Sequence, residues 1–126
     1  MRERTTKLGF LELDEVPSLM KRHDVFLCPS RYDGWGMVVP EALAAAMPAI
    51  VSNEVGSALD IGEHDFLRFF ESGSVEGLSR QIEWFLDNAA AIPALGVKAK
   101  TLSEKYDSKV GAQKFVDLAM KAIKSH

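Results

Sequence analysis

Asp33 and Glu41 stand with seven residues between them in the stretch SRYDGWGMVVPEALAAAMPAI, residues 30–50. Two acids and two glycines surround a tryptophan there, ahead of an almost apolar run. An ionised carboxylate only accepts hydrogen bonds, so it suits a diol, which offers two donors. Gly34 and Gly36 can take backbone angles closed to other residues and let a ligand approach the main chain. A helix starting just beyond them would turn the free N–H groups of Gly36, Met37 and Val38 outward with the helix dipole behind them. That arrangement favours phosphate. Both acids cannot face a phosphate, because like charges repel, so hydroxyls are their sensible targets. Glu41, early in the helix, is placed to reach a ribose, and Asp33 something on the far side of the phosphates. A nucleotide diphosphate attached to a sugar has both features in that order. The same residues also suit a turn without a ligand. Asp33 would then cap, Trp35 would pack on the core, and Glu41 would simply be favoured near a helix N-terminus. A glycine pair by itself is a weak signal, so the residues alone leave both readings open.

The elements that must position this stretch follow from the apolar pattern. TTKLGF (residues 5–10) is short and β-prone and reads as a strand or strand end. LDEVPSLMKRHD reads as a helix, with Asp14 as N-cap, Pro17 in the first turn, and Val16, Leu19 and Met20 on one face. DVFLCP is a continuous apolar strand of the kind buried on both faces in parallel sheets. Pro40 requires the next helix to begin between Met37 and Pro40; it runs to about Ala46, and Pro48 stops it. PAIVS is a second buried strand and FLRFF, residues 66–70, a weaker third. From residue 75 the spacing turns helical. Val75, Leu78, Ile82, Phe85 and Leu86 form one stripe, and Leu95, Ala99 and Leu102 a second, entered through Pro93. Ala112, Phe115, Val116, Ala119 and Ile123 form a third, capped by Asp107 or Ser108. All three stripes read as core. The expectation is an α/β fold: a Rossmann-like parallel sheet with flanking helices and a helical C-terminal tail. In such a sheet PSRYDGWG lies in a loop beyond the carboxyl end of a strand, where ligands bind.

Composition narrows the function. With 126 residues the chain suits one domain, residues 1–126, and its 47% hydrophobic and 26% charged residues are a globular balance. A net charge of −3 and the lack of a basic stripe argue against nucleic acid. The single cysteine, Cys28, lies in an apolar run and reads as a small buried hydrophobe in a reducing compartment. His23, His64 and His126 show no metal-ligand spacing among themselves or with Cys28, and neither a metal nor a cofactor is expected. No apolar run approaches the ~20 residues of a membrane span, and MRERTTKLGF lacks the apolar core of a signal peptide. The sequence therefore reads as cytoplasmic, with no transmembrane segment.

DVFLCPSRYDGWGMVVPEALAAAMPAIVS (residues 24–52) resembles the donor-binding segment of retaining glycosyltransferases of the GT-B fold, family four (group-one type). That family has an acid, seven residues and a Glu, with Glu-Gly-Phe-Gly inside the motif, a Glu-Ala helix and a Pro-Val-Ile strand. The likeness runs from about Lys7 to Lys121. It implies that Glu41 hydrogen-bonds the donor ribose and that Asp33 contacts hydroxyls of the transferred sugar, the two forming the catalytic pair. Gly34, Trp35, Gly36, Met37 and Val38 would be substrate-binding, their backbone N–H groups holding the diphosphate of a nucleotide-sugar used in carbohydrate biosynthesis. This chain departs from the pattern at Asp33, where Glu is commonest; at Ala46, where Gly is usual and Ala in a left-handed conformation costs about 1 kcal/mol; and in GEHDFLRFF, which lacks an Asn-Gly-type turn.

The resemblance covers only the latter part of a C-terminal donor-binding domain. The acceptor domain and the early donor-domain Arg and Lys contacts are expected outside it, so the isolated chain should not turn over. A non-catalytic nucleotide-sugar-binding or assembly module is the alternative. By resemblance DVFLCP is the fourth strand of a doubly wound sheet whose first two strands are absent. Its hydrophobic edge would be open unless the strand near Lys7 to Phe10 covers it. A homodimer, or a complex with the missing acceptor-domain partner, is the expected outcome.

Overall fold

A computed structural model of the chain describes residues 4–106 and 108–125. Helix α1 (Glu15–Met20) is followed by strand β1 (Phe26–Cys28), helix α2 (Val38–Ala44) and strand β2 (Ala49–Ser52). Helix α3 (Gly56–Ile61), strand β3 (Leu67–Phe70) and three helices complete the order: α4 (Val75–Asp87), α5 (Ile92–Ser103) and α6 (Ser108–Lys124). The strands form one parallel sheet in the order β1-β2-β3, with Phe26 opposite Ala49 and Ala49 opposite Leu67. Two successive strand–helix–strand units thus make a Rossmann-like α/β layer, as the pattern indicated.

The central strand shows why AIVS carries no polar alternation. All four of its residues are buried, since parallel sheets take helices on both faces. The main core joins Ile50 and Val51 to Val39 and Leu43 of α2, Leu67 and Phe70 of β3, Phe85 of α4 and Leu95 of α5. A smaller cluster under α1 holds Met20, Ala42 and Met47. Local signals set the helix ends. Ser74 caps α4 by accepting the Gly77 N–H at 3.0 Å. Asp14 takes the N-cap position of α1, but its side chain makes no cap bond; the Glu15 carboxylate instead accepts the Glu12 N–H at 2.8 Å.

Four expectations need correction. Residues 5–10 form no strand: Gly9 has φ +71°, Leu8 and Phe10 are exposed, and no neighbouring strand pairs with the segment. β1 is consequently an edge strand, with no ladder to residues 7–10. It is not buried on both faces, and Leu27 is 41% exposed beside a groove lined by Val25, Ile50, Ile82 and Phe85. α2 ends at Ala44, two residues early, because the chain turns out of the helix at Ala45 and Ala46 takes φ +60°. The apolar stripes are not all core: on α6 Phe115, Val116, Ala119 and Ile123 are all exposed, and on α4 Val75, Ile82 and Leu86 are exposed while Leu78 and Phe85 pack inward. Asp107, one of the expected caps of α6, lies outside the described residues, as does the side chain of Ala112.

Candidate functional site

The loops that follow β1, β2 and β3 all leave the carboxyl end of the sheet. Short polar side chains fasten them there. Ser52, fully buried, donates its hydroxyl to the Ser30 carbonyl, and the Ser72 hydroxyl reaches the same oxygen at 3.4 Å. Asn53 accepts the Ser72 N–H at 3.0 Å.

The glycine loop between β1 and α2 is held against the start of α3. Asp33 and Val55 form a parallel bridge. The Asp33 N–H donates to the Glu54 carbonyl (3.0 Å) and the Gly56 N–H to the Asp33 carbonyl (3.1 Å). The Ser57 N–H donates to the Trp35 carbonyl (2.6 Å), and the Ser57 hydroxyl to the Gly36 carbonyl (2.8 Å). Both glycines in this contact are dictated by space. A Cβ on Gly36, which has φ +74°, would lie 2.5 Å from Val55 Cγ1, and one on Gly56 would lie 2.2 Å from the Gly34 carbonyl oxygen. No real Cβ sits that close, so either substitution must force the two loops apart.

Beyond the loop, the Val39 N–H turns back to the Gly36 carbonyl (3.1 Å) and the Glu41 N–H to that of Met37 (3.3 Å). The N–H groups of Gly34, Gly36, Met37 and Val38 have no hydrogen-bond partner among the described residues. A positive-φ glycine followed by Met37 in right-handed helical geometry is the alternation that gathers successive N–H groups into an anion-binding concavity.

The two acids are placed apart. Asp33 is half-buried, with its carboxylate turned toward Gly36, whose ideal Cβ position lies 3.3 Å from Asp33 Oδ2. Glu41 is exposed in the first turn of α2 and rims a cleft of about 530 Å³ between α1 and α2. Leu13, Val16, Pro17, Met20, Ala44 and Ala45 make that cleft largely apolar, with Lys21 at its edge. Asp33 does not line it. Neither carboxylate has an ion-pair or hydrogen-bond partner among the described residues. Trp35 does not pack on the core as the ligand-free reading required; it is half-exposed, with Tyr32 and Met37 exposed beside it. No group of three or more His, Cys, Asp or Glu among the described residues could hold a metal, and none of the described helices is long and apolar enough to cross a membrane.

Comparison with known proteins decides the family. The family described as glycosyl transferases group 1 matches residues 1–102. The chain belongs to the group 1 glycosyltransferases. The sulfoquinovosyl transferase of Arabidopsis thaliana is 30% identical over 112 residues, which cover 84% of this chain and 21% of the relative. An uncharacterized glycosyltransferase of Methanocaldococcus jannaschii is 38% identical over 65 residues, covering 52% of this chain and 16% of the relative. The chain thus spans about a fifth of the length of the curated relatives it matches. Sucrose-phosphate synthase from Thermosynechococcus elongatus shares the GT-B fold, with a TM-score of 0.82 over 98% of this chain and 31% of that one, at 19% identity.

The sequence singles out Asp33, the glycines and Glu41 but shows nothing of what fastens the loop that carries them. Gly56 and Ser57 carry a signal only in hindsight: small residues directly after a buried parallel strand, at the end of the sheet where ligands bind.

Proposed function

We propose that residues 1–126 are the latter part of a donor-binding domain, which holds a nucleotide-diphosphate sugar for retaining glycosyl transfer. The observation that carries this reading is Glu41. It is an unpaired carboxylate at the mouth of an apolar cleft, one turn from a loop of unpaired amides. An apolar slot with one polar group at its rim suits a nucleoside, the flat base lying against Leu13 and Val16 and the ribose diol donating to Glu41. The diphosphate then lies on the amides of Gly36, Met37 and Val38, and Asp33, on the far side of the loop, accepts from hydroxyls of the sugar. As the glycosidic bond breaks, negative charge grows on the departing diphosphate. Donors already oriented toward that charge lower the barrier without reorganising.

Loss of a charge-assisted hydrogen bond to ribose should cost roughly 1.5–3 kcal/mol, a ten- to hundredfold weaker affinity. Calorimetric titration of the protein and its Glu41→Ala variant with uridine, guanosine and adenosine diphosphates measures this. Equal affinity of the two proteins for every diphosphate they bind would remove Glu41 from the ribose. The open edge of β1 supports a covering partner, either a second copy or the acceptor-bearing part of the enzyme. Light scattering that finds a stable monomer at ~100 µM would count against a second copy.

A further inference from the structure

We infer that Ser57 is a positioning residue of the donor site: its buried hydroxyl aims the Met37 amide of the glycine loop at the diphosphate. This rests on the donor-site reading above. A trans peptide unit is planar, with its C=O and the following N–H pointing in opposite directions, so fixing one direction fixes the other. The chain has no cis peptide bonds among its described residues. The start of α3 binds three carbonyls of the loop: Asp33 through the Gly56 N–H, Trp35 through the Ser57 N–H and Gly36 through the Ser57 hydroxyl. The amides sharing those peptide planes belong to Gly34, Gly36 and Met37. All three are thereby turned away from α3, and none has a partner among the described residues.

Two of these three ties are backbone bonds that no side-chain substitution removes. The Ser57 hydroxyl is the side-chain tie, and it acts on the peptide between Gly36 and Met37, at the centre of the amide concavity. Ser57 is 1% exposed, so its hydroxyl is not shared with water. Removing that hydroxyl does not orphan the Gly36 carbonyl, which keeps the Val39 N–H at 3.1 Å. The fold should therefore survive while the direction of the Met37 amide loosens. That separation is what marks a positioning role.

The test uses the full-length protein and two variants, Ser57→Ala and Ser57→Cys. Each is titrated with uridine, guanosine and adenosine diphosphates by calorimetry, and with the matching nucleosides by NMR. Both variants should keep a melting temperature within a few degrees of wild type. Their affinity for the diphosphate that wild type binds should fall roughly five- to tenfold, what one buried hydrogen bond is worth. Nucleoside affinity should stay unchanged, whereas Glu41→Ala should weaken both ligands. A thiol fills the volume of a hydroxyl but donates weakly, so Ser57→Cys should bind like Ser57→Ala. Wild-type affinity in Ser57→Cys would make the residue mere packing, and an equal loss for nucleoside and diphosphate would make it general structure. Unchanged diphosphate affinity in Ser57→Ala overturns the assignment while leaving the donor site standing. A wild type that binds none of the three diphosphates sinks the donor site and this inference together.

Discussion

Helices α5 and α6 are neighbours in the chain, and each carries an apolar stripe at helical spacing, yet they meet opposite fates. In α5, Leu95 and Ala99 are buried, and Gly96 lies so close to the turn after α2 that a Cβ there would come 2.3 Å from the Ala46 carbonyl oxygen. Together with Phe85 of α4, this region closes the helical side of the sheet. In α6, Phe115 is 73% exposed, and Leu118, Met120 and Ile123 are exposed with it. Periodicity therefore says which face of a helix is apolar, and only a surface of matching shape decides whether that face becomes core.

The largest effect should come from truncating the packed region. Phe85, 4% exposed, replaced by Ala should cost about 3–5 kcal/mol, whereas Phe115→Ala should change stability by less than about 0.5 kcal/mol. Urea unfolding of both variants of this chain measures the contrast. A loss above ~1 kcal/mol at Phe115 would show that the α6 stripe is covered in solution and would break the comparison. A gain is expected where α5 meets the turn after α2. Ala46 adopts φ +60°, which costs a non-glycine residue about 1 kcal/mol, so Ala46→Gly should raise stability by up to that amount. An unchanged or lower unfolding midpoint would mean that the close approach to Gly96, and not the dihedral, governs this junction.

The same contrast shows how much was readable beforehand. β2, the α5 stripe and the buried Phe85 of α4 were legible because each rests on local pattern, whereas Val75, Ile82 and Leu86 of the same α4 stripe stay exposed. The segment 5–10 has the β propensity of a strand, but propensity supplies no neighbour to pair with, and Gly9 turns the chain. Helix α3 was invisible because six residues, GSALDI, are too few to show a period. The ties from Gly56 and Ser57 to the glycine loop join residues far apart in sequence, so no window along the chain contains them. The cleft under Glu41 was missed for the same reason, because its far wall is Leu13 and helix α1, a separate stretch of the chain.

The smallest effect belongs to the rim of α5, where Lys98 Nζ lies 3.0 Å from Asp65 Oδ2. The hydrogen bond from the Lys98 ammonium holds the Asp65 carboxyl below its ordinary value. A lowered carboxyl pKa adds stability above the unfolded value near 4, and that stability is lost as pH falls through the folded value. Both side chains are about half-exposed, at 61% and 48%, so water screens the pair and its worth is under about 1 kcal/mol. Asp65→Asn should match wild type once the carboxyl is protonated in acid and fall slightly behind it at neutral pH. Thermal melts across that range give the answer, and an equal deficit at every pH would assign the effect to packing.

Cys28 sits on the strand whose edge is open, buried, with its sulfur 3.5 Å from the Ser30 hydroxyl. It is the only thiol in the 126 residues. A maleimide reagent can therefore label this chain at one atom, and only while β1 is parted from the core that buries Cys28. With reagent in excess, the labelling time course becomes a stopwatch for that opening, since buried groups react through transient local unfolding. Whatever seats itself along β1 slows the clock, so the protein carries its own reporter for the arrival of a partner, with no sugar or nucleotide needed to read it.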